Sequence, residues 1–140
     1  MLRVVLDANV YVSALIRPEG PPGRILKRFL QEDTFEIVLS LAIVEETARA
    51  FRYPKVRKYI RAGVDPDLWF EDVILLAQFV AADDELEGVS VDAEDDKYFA
   101  AALEGRATMI VTGDPDLLVV KEYRGIRVVT PRVFLDLLSG

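Results

Sequence analysis

Four short runs of Val, Ile and Leu constrain this fold more than anything else in the chain. They are residues 2–6, 35–39, 108–111 and 126–129. Each is nearly continuous in apolar side chains. A sheet with one wet face would alternate apolar with polar residues, so these runs predict strands buried on both faces, as in a parallel sheet. Helical patterns fill the intervals at 10–16, 23–30, 41–52, 66–81, 93–104 and 131–138. Ser40, Asp65 and Asp92 stand where N-caps belong, Pro66 sits in a first turn, and Gly105 follows a helix end. Strands alternating with helices predict an α/β sandwich with a mostly parallel sheet. No repeat or long linker divides the chain. Its 140 residues make one domain, 1–140, long enough to bury about two-thirds of its unfolded surface.

Composition removes most enzyme chemistry. There is no Cys and no His. Disulfides, thiol nucleophiles, His-ligated zinc and Ser-His-Asp triads are therefore excluded. No G-x-S-x-G, Walker A or G-x-G-x-x-G pattern is present. No apolar run reaches the roughly 18 residues of a membrane span, and the start does not read as a signal peptide. A cytoplasmic protein is expected. The net charge of −7 argues against a simple basic nucleic-acid binder. Its distribution is uneven. Arg49, Arg52, Lys55, Arg57, Lys58 and Arg61 follow one another with no acid among them, whereas 65–96 carries twelve acids and no Lys or Arg. These are two solvated faces, or a basic patch for phosphates set apart from an acidic region.

Carboxylates are the chemistry that remains. In parallel sheets ligands bind beyond the carboxyl ends of the strands. Asp7 follows the first run, Ser40 the second, and Thr112-Gly113-Asp114 the third, with Asp116 just behind. On the helix at 41–52, Leu41, Val44, Ala48 and Phe51 share one face. Glu45 and Arg49 fall on a polar strip as an i, i+4 pair, and Glu46 falls among Ala42, Ile43 and Ala50. A carboxylate on an apolar face is costly unless paired or metal-bound, so Glu46 is the functional candidate. Asp92, Asp95 and Asp96 open the helix at 93–104. Asp96 shares a face with Ala100 and Leu103, but helical spacing does not separate it cleanly from Asp95, while Lys97 and Glu104 mark the solvent side. Each acid has an ordinary use as a cap or turn former. Carboxylates that converge at about 4 Å repel by about 1 to 4 kcal/mol per pair, and a divalent cation relieves this. The run Asp83-Asp84-Glu85 with Glu87 reads as an exposed acidic turn. Tyr11, Tyr53, Tyr59 and Trp69 read as packing residues, and 68–79 as part of an amphipathic core helix, with an interface as the alternative.

VVLDANVYVSAL, LSLAIVEETARAF followed by YPKV, DAEDDKYFAAAL and ATMIVTGDPDLL together resemble the PIN-domain family in order and spacing. They resemble especially the branch of toxins from toxin–antitoxin pairs, related to VapC-type ribonucleases. The likeness spans about residues 2–135. Each motif is weak alone and their joint order is specific. The resemblance implies a three-layer α/β/α sandwich with a twisted parallel sheet and an acidic metal site. By motif, Asp7, Glu46, Asp96 and Asp114 match its four acids. Asn9 and Thr112 match the polar positions beside them, and Asp116 is an accessory acid. Thr47 stands where a Leu is common, and Ala93 where the branch often has Pro.

The resulting expectation is endonucleolytic cleavage of RNA with Mg²⁺ or Mn²⁺, oxygen ligands favouring such cations. Arg49, Arg52, Lys55, Arg57 and Lys58 would line the RNA route. An antitoxin protein and a homodimer are the partners implied. The alternatives are a metal-dependent phosphatase or DNA nuclease, and a catalytically weak module that acts by binding an antitoxin or a second copy.

Overall fold

The computed structural model describes residues 1–82, 88–90 and 92–139. The acidic turn expected at 83–87 lies outside the described residues. Among them, six strands form one sheet: β1 (Arg3–Leu6), β2 (Glu36–Leu39), β3 (Gln78–Phe79), β4 (Met109–Val111), β5 (Glu122–Tyr123) and β6 (Ile126–Val129). Their order is β3-β2-β1-β4-β6-β5, and every pairing is parallel except β5 with β6. Val4, Val5, Leu6, Ile37, Val38, Leu39, Ile110 and Val111 are fully buried. That is the burial the first three apolar runs predict, whereas in β6 Arg127 is exposed between buried Ile126 and Val128.

The helices are α1 (Ala8–Ile16), α2 (Pro21–Glu32), α3 (Leu41–Phe51), α4 (Pro54–Arg57), α5 (Pro66–Leu76), α6 (Asp96–Glu104), α7 (Pro115–Leu118) and α8 (Pro131–Ser139). They cover both faces of the sheet. α6 lies across β1, β2, β4 and β6, while α1, α2, α3, α5 and α8 pack among themselves. Ser40 caps α3 by accepting the Ile43 N–H, and Asp65 caps α5 through the Asp67 and Leu68 N–H groups. A Cβ on Gly105 would stand 2.5 Å from Val38 Cγ1, so only glycine lets the end of α6 approach β2 this closely.

The helix expected to run from 66 to 81 is shorter. α5 stops at Leu76, Ala77 turns extended, and Gln78–Phe79 joins β2 as an edge strand. The Val80 N–H donates to Leu39 O at 2.9 Å. A bare β2 edge would leave backbone groups unpaired, and a longer helix would gain little burial. Leu68, Leu75, Leu76 and Phe79 are all exposed, and on α5 only Phe70 and Val73 are buried. The segment 68–79 is thus not one core helix. The helix expected at 93–104 opens as a 3₁₀ turn (Ala93–Asp95) that Asp92 caps before α6 begins.

Candidate metal centre

From β1 the chain proceeds outward to β2 and β3, and on the far side of β1 stand β4, β6 and β5. The order reverses between β1 and β4. At such a switch point the loops leaving the two strands diverge and open a crevice beyond their carboxyl ends. Leu6 pairs with Val111 as the last step of that ladder, and the Asp7 N–H continues it with a 3.0 Å bond to Val111 O. Asp7 and Thr112 are the next residues on each strand.

The two strand ends are built alike. Asp7 caps α1 by accepting the Asn9 N–H at 3.1 Å, and Asp114 caps α7 by accepting the Asp116 N–H at 2.9 Å. Thr112 is fully buried between them. Its hydroxyl donates to Asp7 Oδ2 and accepts the Asp114 N–H. Asp7 is only 4% exposed. Burial pushes its carboxyl pKa up, the hydrogen bonds from the Thr112 hydroxyl and the Asn9 N–H oppose this, and the charge on Glu46 adds to the rise. Asn9 itself is exposed, and its recorded contribution is a backbone donor. Asp114 is half-buried and Asp116 exposed at the rim.

Glu46 enters from α3. It is half-buried and Glu45 exposed, as the helical-face argument predicts. The more deeply buried face of α3 is the one carrying Ile43, Thr47 and Ala50, whereas Leu41 is exposed. The Tyr98 hydroxyl donates to Glu46 Oε2 through a short hydrogen bond and accepts the Ala8 N–H at 3.2 Å. Tyr98 is fully buried. Its hydroxyl thereby joins α6, α3 and α1. Lys97 Nζ lies 2.9 Å from the same Oε2, and its side chain is 15% exposed. Lys97 is therefore not on the solvent side. Tyr98 and Lys97 are the site residues that sequence reasoning passed over. The available signal was Tyr98, because a tyrosine inside the buried run YFAAA needs a partner for its hydroxyl.

Asp95 and Asp96 separate clearly in space. Asp96 is 5% exposed, its Oδ1 accepts the Ser90 N–H at 2.8 Å, and its Oδ2 is buried without a partner. Asp95 is half-buried. Its pKa is pushed up to about 7 by desolvation first, then by the charges of Asp114, Asp92, Asp7 and Glu46. Asp95 thus stands within electrostatic reach of Asp114, Asp7 and Glu46.

Arg52 is committed locally, to Asp67 at 2.9 Å and Ala48 O at 2.7 Å. Arg61 stands 3.9 Å from Glu19. Among the described residues Arg49, Lys55, Arg57 and Lys58 make no ion pair within 4 Å, and all four are exposed. The i, i+4 pairing of Arg49 with Glu45 expected from sequence is not formed. Both side chains instead line an open cleft of about 370 Å³ beside Lys97.

Among the described residues no three acidic side chains are already closed around a single point as a metal cage. What the fold brings together is an all-oxygen donor set from Asp7, Glu46, Asp95 and Asp114, in which burial and the neighbouring acids raise the pKa values of Asp7 and Asp95. Carboxylates in that state gain from a hard divalent cation, and their donor chemistry fits Mg²⁺ or Mn²⁺.

Residues 3–116 match the family model of the PIN domain. An uncharacterized protein of Methanocaldococcus jannaschii, MJ1680, is 29% identical over 143 aligned positions, covering 96% of this chain and 90% of that protein. In fold, the chain is similar to one chain of VapBC2 from Rickettsia felis, solved bound to a DNA fragment from their promoter. The TM-score is 0.59 at 11% identity, over 92% of this chain and 98% of that one.

Proposed function

The chain belongs to the PIN-domain family, and on that premise we propose that it is an endoribonuclease working with Mg²⁺ or Mn²⁺, the toxin of a toxin–antitoxin pair. The observation that carries this reading is the Asp7–Thr112–Asp114 junction at the β1–β4 switch point, with Glu46 and Asp95 electrostatically coupled to it. Asp7, Glu46, Asp95 and Asp114 would hold the cation, and Asp116 is an accessory acid at the rim. Asp95 is taken as the third acid for the charges of Asp114, Asp7 and Glu46 around it, with Asp96, whose buried Oδ2 has no partner, as the alternative that the family motif implies. A bound divalent cation supplies positive charge for the scissile phosphate and acidifies an attacking water.

The chain's own residues supply geometry. Thr112 fixes the orientation of Asp7, and Tyr98 fixes Glu46. The exposed cations Arg49, Lys55, Arg57 and Lys58 would track the RNA backbone, with Arg52 contributing only once released from Asp67. The fold neighbour is a VapBC complex, which supports an antitoxin partner here, and a homodimer belongs to the same reading. A cytoplasmic setting suits an RNA substrate. No described helix is long and apolar enough to cross a membrane.

The test is cleavage of RNA, single-stranded DNA and a small phosphodiester in Mn²⁺ by the wild type and Asp7→Asn. RNA cleavage alone, lost in the variant, supports the proposal. DNA or phosphodiester turnover moves the substrate class. Mn²⁺ binding without cleavage, beside a tight complex with an antitoxin, favours a binding module.

A further inference from the structure

Lys97 is the one ammonium recorded in contact with these carboxylates among the described residues. Its pairing with Glu46 is unlike the surface bridges of this molecule. Arg61 and Glu19 stand 3.9 Å apart with side chains 65% and 73% exposed, a geometry in which ion pairs contribute little. Lys97 Nζ lies 2.9 Å from Glu46 Oε2, with the two side chains 15% and 27% exposed. The Tyr98 hydroxyl holds the same oxygen from the buried side. Glu94 reaches Nζ only at 3.7 Å from a largely exposed position. Two fixed donors therefore converge on one oxygen of Glu46, and one of them carries a full positive charge.

That charge alters what the centre can hold. Of the candidate ligands Asp7, Glu46, Asp95 and Asp114, it is Glu46 that the ammonium pairs with. A second cation that reached Glu46 Oε2 would have to bind against Lys97 or evict it. We propose that Lys97 is the second positive charge of the site, standing at Glu46 where a second divalent cation would otherwise bind, so that the centre takes one metal ion. Lys97 also lines the open cleft with Arg49, Glu45 and Glu94. From there its ammonium is accessible to a phosphate oxygen of a substrate that enters. It is a positioning residue for Glu46 and a fixed source of charge. This inference rests on the metal-dependent reading above.

The experiment counts ions on the full chain. Mn²⁺ is titrated into the wild type, Lys97→Met and Lys97→Arg, with bound and free ion measured by electron paramagnetic resonance and heat by calorimetry. One Mn²⁺ per chain is expected in the wild type and in Lys97→Arg. Removing the charge in Lys97→Met should tighten the first ion about tenfold, by loss of close like-charge repulsion, and admit a second at higher concentration. Should Lys97→Met not fold, Lys97→Gln carries the same comparison. Two ions of similar affinity in the wild type overturn the inference and leave the proposed function standing. An unchanged affinity and count in the charge-removing variant overturn it as well. No ion bound by the wild type overturns the metal-dependent reading and this inference with it.

Discussion

Thr112 donates its hydroxyl proton to Asp7 Oδ2 at 2.7 Å, and the Thr112 hydroxyl oxygen accepts the Asp114 N–H at 3.0 Å. One buried hydroxyl thus couples acids that stand at the ends of two different strands. Thr112→Val keeps the shape and removes both contacts. A buried carboxylate and a backbone N–H lose their partner, which costs about 1–3 kcal/mol. Urea denaturation in chelator should show that loss. Mn²⁺ affinity should fall as well, because Asp7 is no longer aimed. Stability and affinity both unchanged would show that the hydroxyl is not what holds the junction together.

Asp7 and Asp95 both titrate higher in the folded protein than their ordinary value of 3.8, Asp95 at about 7. The sign follows from proton counting. Between about pH 4 and pH 7 the folded state keeps protons that the unfolded chain has released. The penalty these acids impose is therefore absent below the unfolded pKa and is fully present once pH has risen through the folded one. Without metal, wild type compared with Asp95→Asn should gain stability as pH is lowered from 8 to 4. Denaturation midpoints of the two proteins across that range check it. A constant difference would mean that neither burial nor the neighbouring acids raise the Asp95 pKa.

Asp95 and Asp96 differ in what they touch, so their amides should differ in effect. Asp95→Asn should lower Mn²⁺ affinity and cleavage by at least about tenfold, the loss of one charged ligand at about 1.4 kcal/mol or more. Asp96→Asn retains an oxygen for the Ser90 N–H and should leave Mn²⁺ affinity within about threefold, a difference of under about 1 kcal/mol. Calorimetry on the two variants decides. The reverse ranking would return the ligand role to Asp96, as the sequence resemblance implied.

Arg57 and Lys58 are exposed on and just after α4. Replacing both with Ala should weaken RNA binding and reduce the slope of log affinity against log salt by about 0.7 per charge removed. Fluorescence anisotropy from low to high salt measures it. A slope equal to that of the wild type would remove this stretch from the RNA route.

Much of the architecture was legible because burial on both faces leaves an unmistakable trace. β1, β2, β4 and β6 coincide closely with the four apolar runs. β3 and β5 were not legible. Each is two residues long, too short to establish a period, and β3 is held by the neighbouring edge of β2 rather than by its own pattern. Glu46 could be separated from Glu45 because a helix turns a one-residue offset into a different face. Asp95 and Asp96 resisted the same argument because a 3₁₀ turn precedes α6 there, and its three-residue period breaks the 100° step. Lys97 was placed in solvent by that same helical count. Its side chain follows the charge of Glu46, a partner 51 positions away in sequence.

Tyr98 and Lys97 reach Glu46 from α6, and Tyr98 also holds the first amide of α1. The acid is therefore a rivet through three helices as well as a candidate ligand. Whatever occupies it at a given moment, a proton, an ammonium or an ion, also sets how tightly those helices are clamped. Amide exchange at the start of α1, far along the chain from Glu46, should then slow or quicken with its occupancy, making the backbone itself a gauge of the loaded state.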